Sequence, residues 1–126
     1  MTEATAAPPA DPRRATAVFY DGGCPVCRRE IGLYRRHVPG EAVAWLDVAA
    51  APPGAVAPGL DREAAMRRFH VRRADGSIEG GARAFFALWR SIPKLRWAGV
   101  AFDRPPFTWV GEVAYRAFLK VRKLWR

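Results

Sequence analysis

The first patterned stretch, Ala15-Thr16-Ala17-Val18-Phe19-Tyr20, is a short β-favouring apolar run that predicts a buried strand. Asp21-Gly22-Gly23 interrupts it, and Pro25 opens a helix where a missing N–H costs nothing. In that helix Cys27, Ile31, Tyr34 and Val38 recur at spacings of four, three and four, one apolar stripe, while Arg28, Arg29, Arg35 and Arg36 fall off it. Pro39-Gly40 is expected to end the helix. Val43-Ala44-Trp45-Leu46-Asp47-Val48 then predicts a second strand. Strand, helix and strand within about thirty residues form a βαβ unit, with parallel strands and a right-handed crossover.

Residues 49–60 are dominated by Ala, Pro and Gly and are expected to form a surface loop. Asp61 can cap a short helix running through Met66. Phe69-His70-Val71-Arg72-Arg73 predicts a strand, Ala74-Asp75-Gly76-Ser77 a hairpin turn, and Ile78-Glu79 the return strand. Gly80-Gly81 leads into an amphipathic helix with Phe85, Phe86, Leu88, Trp89 and Ile92, stopped by Pro93. A short helical or irregular piece reaches Phe102, and Pro105-Pro106 breaks the chain again. Val110, Val113, Ala114, Ala117, Phe118, Val121 and Trp125 then recur at helical spacing, with Arg116, Lys120, Lys123 and Arg126 elsewhere. The order describes a mixed α/β layer fold with an extra C-terminal helix, one domain over 15–126 behind a flexible Ala/Pro/Thr-rich leader at 1–14.

Composition narrows the classes. The chain has 126 residues, 50% hydrophobic and 12% aromatic, which excludes a disordered charged tail and supports one real core. The longest apolar stretches, such as residues 97–102, are far too short to span a bilayer. Two cysteines exclude a disulfide scaffold. The N-terminus has no apolar export region, so a cytoplasmic location is expected. The net charge of +9 is unevenly placed. Residues 1–81 carry a net +1 and residues 82–126 a net +8, with Asp103 and Glu112 the only acidic side chains in the latter.

The sharpest chemistry is Cys24-Pro25-Val26-Cys27, between a predicted strand and a predicted helix. Two residues between the cysteines on one helical turn bring the sulfurs within bridging reach. A helix N-terminus, with unpaired N–H groups and the positive end of the dipole, favours a thiolate. Cys24 sits at that terminus and Cys27 continues the apolar stripe. Cys24 is therefore expected to be the exposed attacking thiol and Cys27 the shielded resolving thiol. Two competing readings are a metal-ligand pair and two incidental cysteines. Zinc needs four ligands, and His37 and His70 lie at intervals that match no usual zinc spacing. The strand-turn-helix context favours a redox pair, which would need no metal and no organic cofactor.

Phe19-Tyr20-Asp21-Gly22-Gly23-Cys24-Pro25-Val26-Cys27-Arg28-Arg29-Glu30 closely resembles the signature of the DCC family (DUF393), predicted thiol-disulfide oxidoreductases. The resemblance continues through Trp45-Leu46-Asp47-Val48, Phe69-His70-Val71, Asp75-Gly76, Gly80-Gly81-Ala82-Arg83-Ala84-Phe85 and Leu88-Trp89, and covers residues 16 to about 120. It implies a thioredoxin-like fold and an active dithiol at Cys24 and Cys27. One departure concerns the cis-proline that ordinary thioredoxins carry before the strand facing the dithiol. Here that place is held by Arg67-Arg68-Phe69.

Other residues have a structural and a functional reading each. Asp21 can relay protons to the thiols or bond its own turn amides, and Asp47 invites the same comparison. His70 can face the dithiol edge or sit in core or surface. Gly80-Gly81 can admit a substrate backbone or supply φ freedom. The basic C-terminal helix can be a solvated element packed by its apolar face on the sheet, lie on anionic lipid, or contact nucleic acid. No phosphate loop, zinc-finger spacing or RNA-binding aromatic motif supports nucleic acid. The expected function is thiol-disulfide exchange by Cys24 and Cys27, assisted by Asp21, with a disulfide- or thiol-containing substrate and a thiol electron donor or acceptor as partners. The alternative is a non-catalytic module that docks its basic helix on a membrane surface or polyanion.

Overall fold

The computed structural model describes residues 13–38 and 42–124. Strand β1 (Ala15–Tyr20) leads to helix α1 (Pro25–His37) and strand β2 (Ala44–Asp47), and β1 and β2 pair in parallel. Strand β5 (His70–Arg73) runs antiparallel along the other edge of β1, and β6 (Ile78–Gly80) pairs antiparallel with β5. The sheet order is therefore β2-β1-β5-β6. With helices on both faces this is a thioredoxin-like fold. β1 is central, which explains its continuous apolar run: both of its faces are covered. Val18 packs with Ile31 of α1 and with Leu88 and Ile92 on one side; Ala17 and Phe19 pack with Val48, Leu60 and Ala65 on the other.

Two expectations need correction. Residues 49–60 are not a plain loop. A 3₁₀ turn (Val48–Ala50) is followed by a small antiparallel hairpin, β3 (Ala55–Ala57) and β4 (Leu60–Asp61). Leu60, Val56 and Ala57 cover the Phe19 side of the sheet, so burial imposes strands where an Ala/Pro/Gly composition carries almost no β signal. Asp61 then caps α2 (Arg62–Arg67), its carboxylate accepting from Ala64 N as the sequence predicts. Helix α3 (Ala82–Arg90) follows Gly81, and the ambiguous stretch before Phe102 is a helix, α4 (Arg96–Phe102).

The second correction concerns the last helix, α5 (Phe107–Arg122). Of the predicted apolar stripe, Val110, Val113, Ala114, Ala117 and Val121 are exposed and do not pack on the sheet, Phe118 packs against the core, and Trp125 lies outside the described residues. The helix is turned so that Tyr115, Phe118 and Leu119 face the core. Three contacts set this rotation. Tyr115 stacks edge-on against Phe85 at 5.4 Å, its hydroxyl accepts the Phe69 N–H, and Glu112 pairs with Arg68. Gly81 has φ +71, and a Cβ there would fall 1.9 Å from the Arg68 guanidinium and 2.3 Å from the Glu112 carboxylate. Its hydrogen side chain serves both the turn and that ion pair.

The other acidic residue of the last third is also turned inward. Asp103, buried at the end of α4, lies 3.6–3.7 Å from Arg73 of β5 and from Arg83 and Arg90 of α3. Among the described residues, no helix is long and apolar enough to cross a membrane. The proposed leader at 1–14 lies outside the described residues except for Arg13 and Arg14, as do Pro39-Gly40, Trp125 and Arg126.

Candidate active site

Cys24 is the N-cap of α1, with extended backbone at φ −93° and ψ 117°. Its Sγ accepts the backbone N–H of Cys27 at 3.3 Å, the bond a capping side chain normally supplies. Pro25 follows at the first helical position, and the first turn carries no acidic residue to oppose a thiolate. The two sulfurs are not joined in a disulfide in this structure.

Two carboxylates hold the loop before Cys24. Asp21, itself buried, accepts the Gly23 N–H at 2.9 Å, the turn-forming bond expected of Asp-Gly. Asp47, at the end of β2, accepts the N–H groups of Gly22 at 2.8 Å and Ala49 at 3.0 Å with one oxygen. A Cβ on Gly22 would fall 2.0 Å from the other Asp47 oxygen. The paired glycines are therefore part of the site: the first leaves room for the side chain that staples the loop to the neighbouring strand.

Access runs opposite to the expected pattern. Cys24 is fully buried at 0% exposure, and Cys27 is half-buried. Cys27 reaches a cavity of about 320 Å³ between α1, α3, α5 and the edge of the sheet. The stripe that led to the expected burial of Cys27 is divided: Ile31 and Val38 are buried in the core, while Cys27 and Tyr34 line this cavity. Tyr20, Tyr34, Phe69, Phe85, Trp89 and Tyr115 supply most of its wall, and Asp21, Glu30, Arg68 and Arg122 its polar groups. Phe69 N–H, at the edge that faces the dithiol, donates to Tyr115 of α5, so this edge is occupied by the protein's own helix. The cis-peptide among the described residues is Pro105-Pro106, away from this edge.

The electrostatics distinguish the thiols. Burial, then the hydrogen bond and charge of Cys24, push the Cys27 thiol from an ordinary 9.0 up to about 12; Arg122 opposes this. Cys27 therefore keeps its proton, and its S–H can donate a hydrogen bond to the Cys24 sulfur. Burial also raises the Glu30 carboxyl, and it raises the Tyr34 hydroxyl with help from the Glu30 charge.

Of the residues singled out from sequence, Cys27 and Asp21 meet at the cavity, Cys24 lies one turn behind, and Asp47 braces the loop. His70 is not among the cavity-lining residues; its Nδ1 bonds Arg68 O at 2.8 Å, and burial lowers its pKa. The sequence reading missed Glu30 and Arg122. Glu30 was within reach of pattern analysis, because it stands three residues after Cys27 on one helix face. Arg122 gave no local signal: 95 residues separate it from Cys27. Among the described residues no three His, Cys, Asp or Glu side chains gather as metal ligands.

An uncharacterized chloroplastic protein of Arabidopsis thaliana is 28% identical over 109 residues, covering 83% of this chain and 50% of the plant protein. The chain thus spans about half the length of that relative. No solved structure matches. The family model for DCC1-like thiol-disulfide oxidoreductases matches residues 18–126, from the central strand through the dithiol to the last helix. The chain belongs to the DCC1-like thiol-disulfide oxidoreductase family.

Proposed function

We propose that the protein is an enzyme that exchanges a Cys24–Cys27 dithiol with the disulfide of a protein or small-molecule substrate. The observation that carries this reading is the helix cap: Cys24 Sγ accepts the Cys27 N–H while the Cys27 thiol is held protonated beside it. Cys24, at the positive end of the helix, is then the attacking sulfur. It attacks one substrate sulfur, forming a mixed disulfide and releasing the other sulfur as a thiolate. Cys27 loses its proton to that leaving thiolate and attacks Cys24 Sγ, releasing the second substrate thiol. The pair is oxidised by two electrons to a disulfide and the substrate is reduced; a thiol system restores the dithiol, or drives the reverse reaction. Because Cys24 is covered in the reduced form, attack requires an opening that uncovers it, while Cys27 stays in contact with the cavity.

Asp21 supports the proton step. It forms its turn bond through one oxygen and still lines the cavity with Cys27. Asp21→Asn keeps an oxygen for that turn but cannot carry a proton. It is expected to slow exchange on the order of 10²-fold at neutral pH without loss of fold; an unchanged rate would assign Asp21 to the turn alone. A cytoplasmic setting is part of the proposal, since both cysteines are committed to the redox pair and a reducing poise keeps such a pair as a dithiol.

The decisive experiment is disulfide turnover with Cys24→Ser and Cys27→Ser. Cys24→Ser should abolish it, and Cys27→Ser should accumulate a mixed disulfide on Cys24 whose attached partner identifies the substrate. Full turnover in Cys24→Ser would overturn the enzyme reading.

A further inference from the structure

Helix α5 divides into three faces when its residues are placed at the helical period. Gly111, Glu112, Tyr115, Phe118, Leu119 and Arg122 form an arc of about 120° turned to the protein. Arg116, Lys120 and Lys123 form a narrower arc beside it. The remaining arc, again about 120°, holds Phe107, Val110, Val113, Ala114, Ala117 and Val121. Every member of that last arc is exposed, Val110 at 54% and Val113 at 50%. A solvated helix places polar residues there; this helix has a second apolar face, which stays exposed although Ala114 at its border reaches the dithiol cavity and Phe107 meets a neighbouring ring.

The exposed apolar surface continues beyond α5. Phe107 contacts Phe102 with ring centroids 5.1 Å apart, and Phe102 contacts Trp97 of α4 at 6.3 Å. Trp97 and Trp109 are 68% and 69% exposed. The same two helices and their flanks carry exposed Lys94, Arg96, Arg104, Lys120 and Lys123. The two acidic side chains of the last third cannot offset these cations at the surface, because Asp103 and Glu112 are both turned inward onto arginines.

We propose that the outer face of α5, with Trp97 of α4, docks on an anionic lipid bilayer. Charge selects this occupant. A second copy would bring like-charged rims together in a chain of net +9. A nucleic acid backbone would satisfy the cations and leave the valine and tryptophan surface without an apolar partner. An anionic membrane offers headgroups to the lysines and hydrocarbon to the stripe, and its interface suits tryptophan. The helix would lie in the interface plane with its inner face still lining the dithiol cavity. This surface is independent of the thiol chemistry, so Cys24→Ser should dock as the unaltered protein does.

The test uses the full chain with vesicles of phosphatidylcholine alone or mixed with phosphatidylglycerol. Docking to the mixed vesicles is expected, weakening with salt, with a blue shift of tryptophan emission and quenching by lipids labelled in the acyl chain. Val110→Gln with Val113→Gln should weaken docking about tenfold. Lys120→Gln with Lys123→Gln should weaken it about thirtyfold. All four side chains are exposed, so the circular dichroism spectrum should not change. Three results would each overturn the proposal: no docking to anionic vesicles, docking indifferent to the valine pair, or valine-dependent self-association that protects the same surface.

Discussion

The carboxylates of the dithiol loop and those of the C-terminal third do the same mechanical work with different partners. Asp21 and Asp47 accept backbone N–H groups, at sequence separations of 2 and 25. Asp103 and Glu112 meet guanidinium groups, Arg73 and Arg68 among them, far away in the chain. A neutral donor lets a carboxylate shape a loop while keeping local positive charge available to a thiolate. A cationic donor consumes charge on both sides. The near-neutral body lends Arg68 and Arg73 to Glu112 and Asp103, and most of the cations of the +8 third are left at the surface.

The comparison is broken most severely at Asp103. Asp103→Asn takes the carboxylate away from buried Arg90, while buried Arg73 keeps Glu79 at 3.3 Å. The expected loss is about 3–5 kcal/mol of unfolding free energy, read from urea denaturation. The rate of disulfide exchange in the fraction that stays folded should be unchanged. A loss below about 1 kcal/mol would mean that these arginines are satisfied without Asp103.

The same difference explains what was legible in the sequence. Short-range signals read well: the β1 run, Pro25, the Asp61 cap and the hairpin turn after Arg73 all place elements close to where they stand. The dithiol and its aspartate were legible because strand, turn and helix are contiguous there. The β3–β4 hairpin was not, since its strands are made by packing against Phe19 and not by residue preference. The rotation of α5 was not legible either. Its sequence offers two apolar faces, and the choice between them was made by Phe69, Phe85 and Arg68, residues 30 or more positions away. The exposure of the cysteines went wrong for the same reason: whether one side chain of a stripe meets filled core or a cavity depends on the helix that covers it.

A smaller perturbation tests the loop side. Gly22→Ala has no unfavourable φ to overcome, so its whole effect comes from the Cβ entering the space of the Asp47 carboxylate. Asp47 must then give up its bonds to Gly22 and Ala49. The expected cost is about 1–3 kcal/mol in stability, with a disproportionate fall in exchange rate because the displaced loop carries Cys24. Asp47→Ala should reproduce the rate loss, and adding Gly22→Ala to it should then cost little, since the clash is gone. Full additivity in that double-mutant cycle would show that Gly22 acts through something other than Asp47.

The mildest changes concern the Cys27 proton. With its thiol raised to about 12, Cys27 should be alkylated at a rate that is still climbing well above pH 9. Burial is the largest cause and the Cys24 contacts come next, so in Cys24→Ser the Cys27 pKa should fall but stay above 9.0. Arg122→Gln should move it the other way, since the guanidinium is the group that favours the Cys27 thiolate. The sign for stability follows from the same shift. An unfolded chain releases this proton near 9.0 and the folded one near 12, so the stabilisation is complete below pH 9 and is lost as pH rises through that window. Arg122 also donates to the carbonyls of Met66 and Arg67 at 3.2–3.3 Å, so its substitution should loosen the end of α5 slightly as well. A charge-preserving Arg122→Lys separates the two roles. It should leave the Cys27 titration close to that of the unaltered protein while losing the paired carbonyl bonds, and an upward shift as large as that of Arg122→Gln would show that geometry, not charge, sets the thiol.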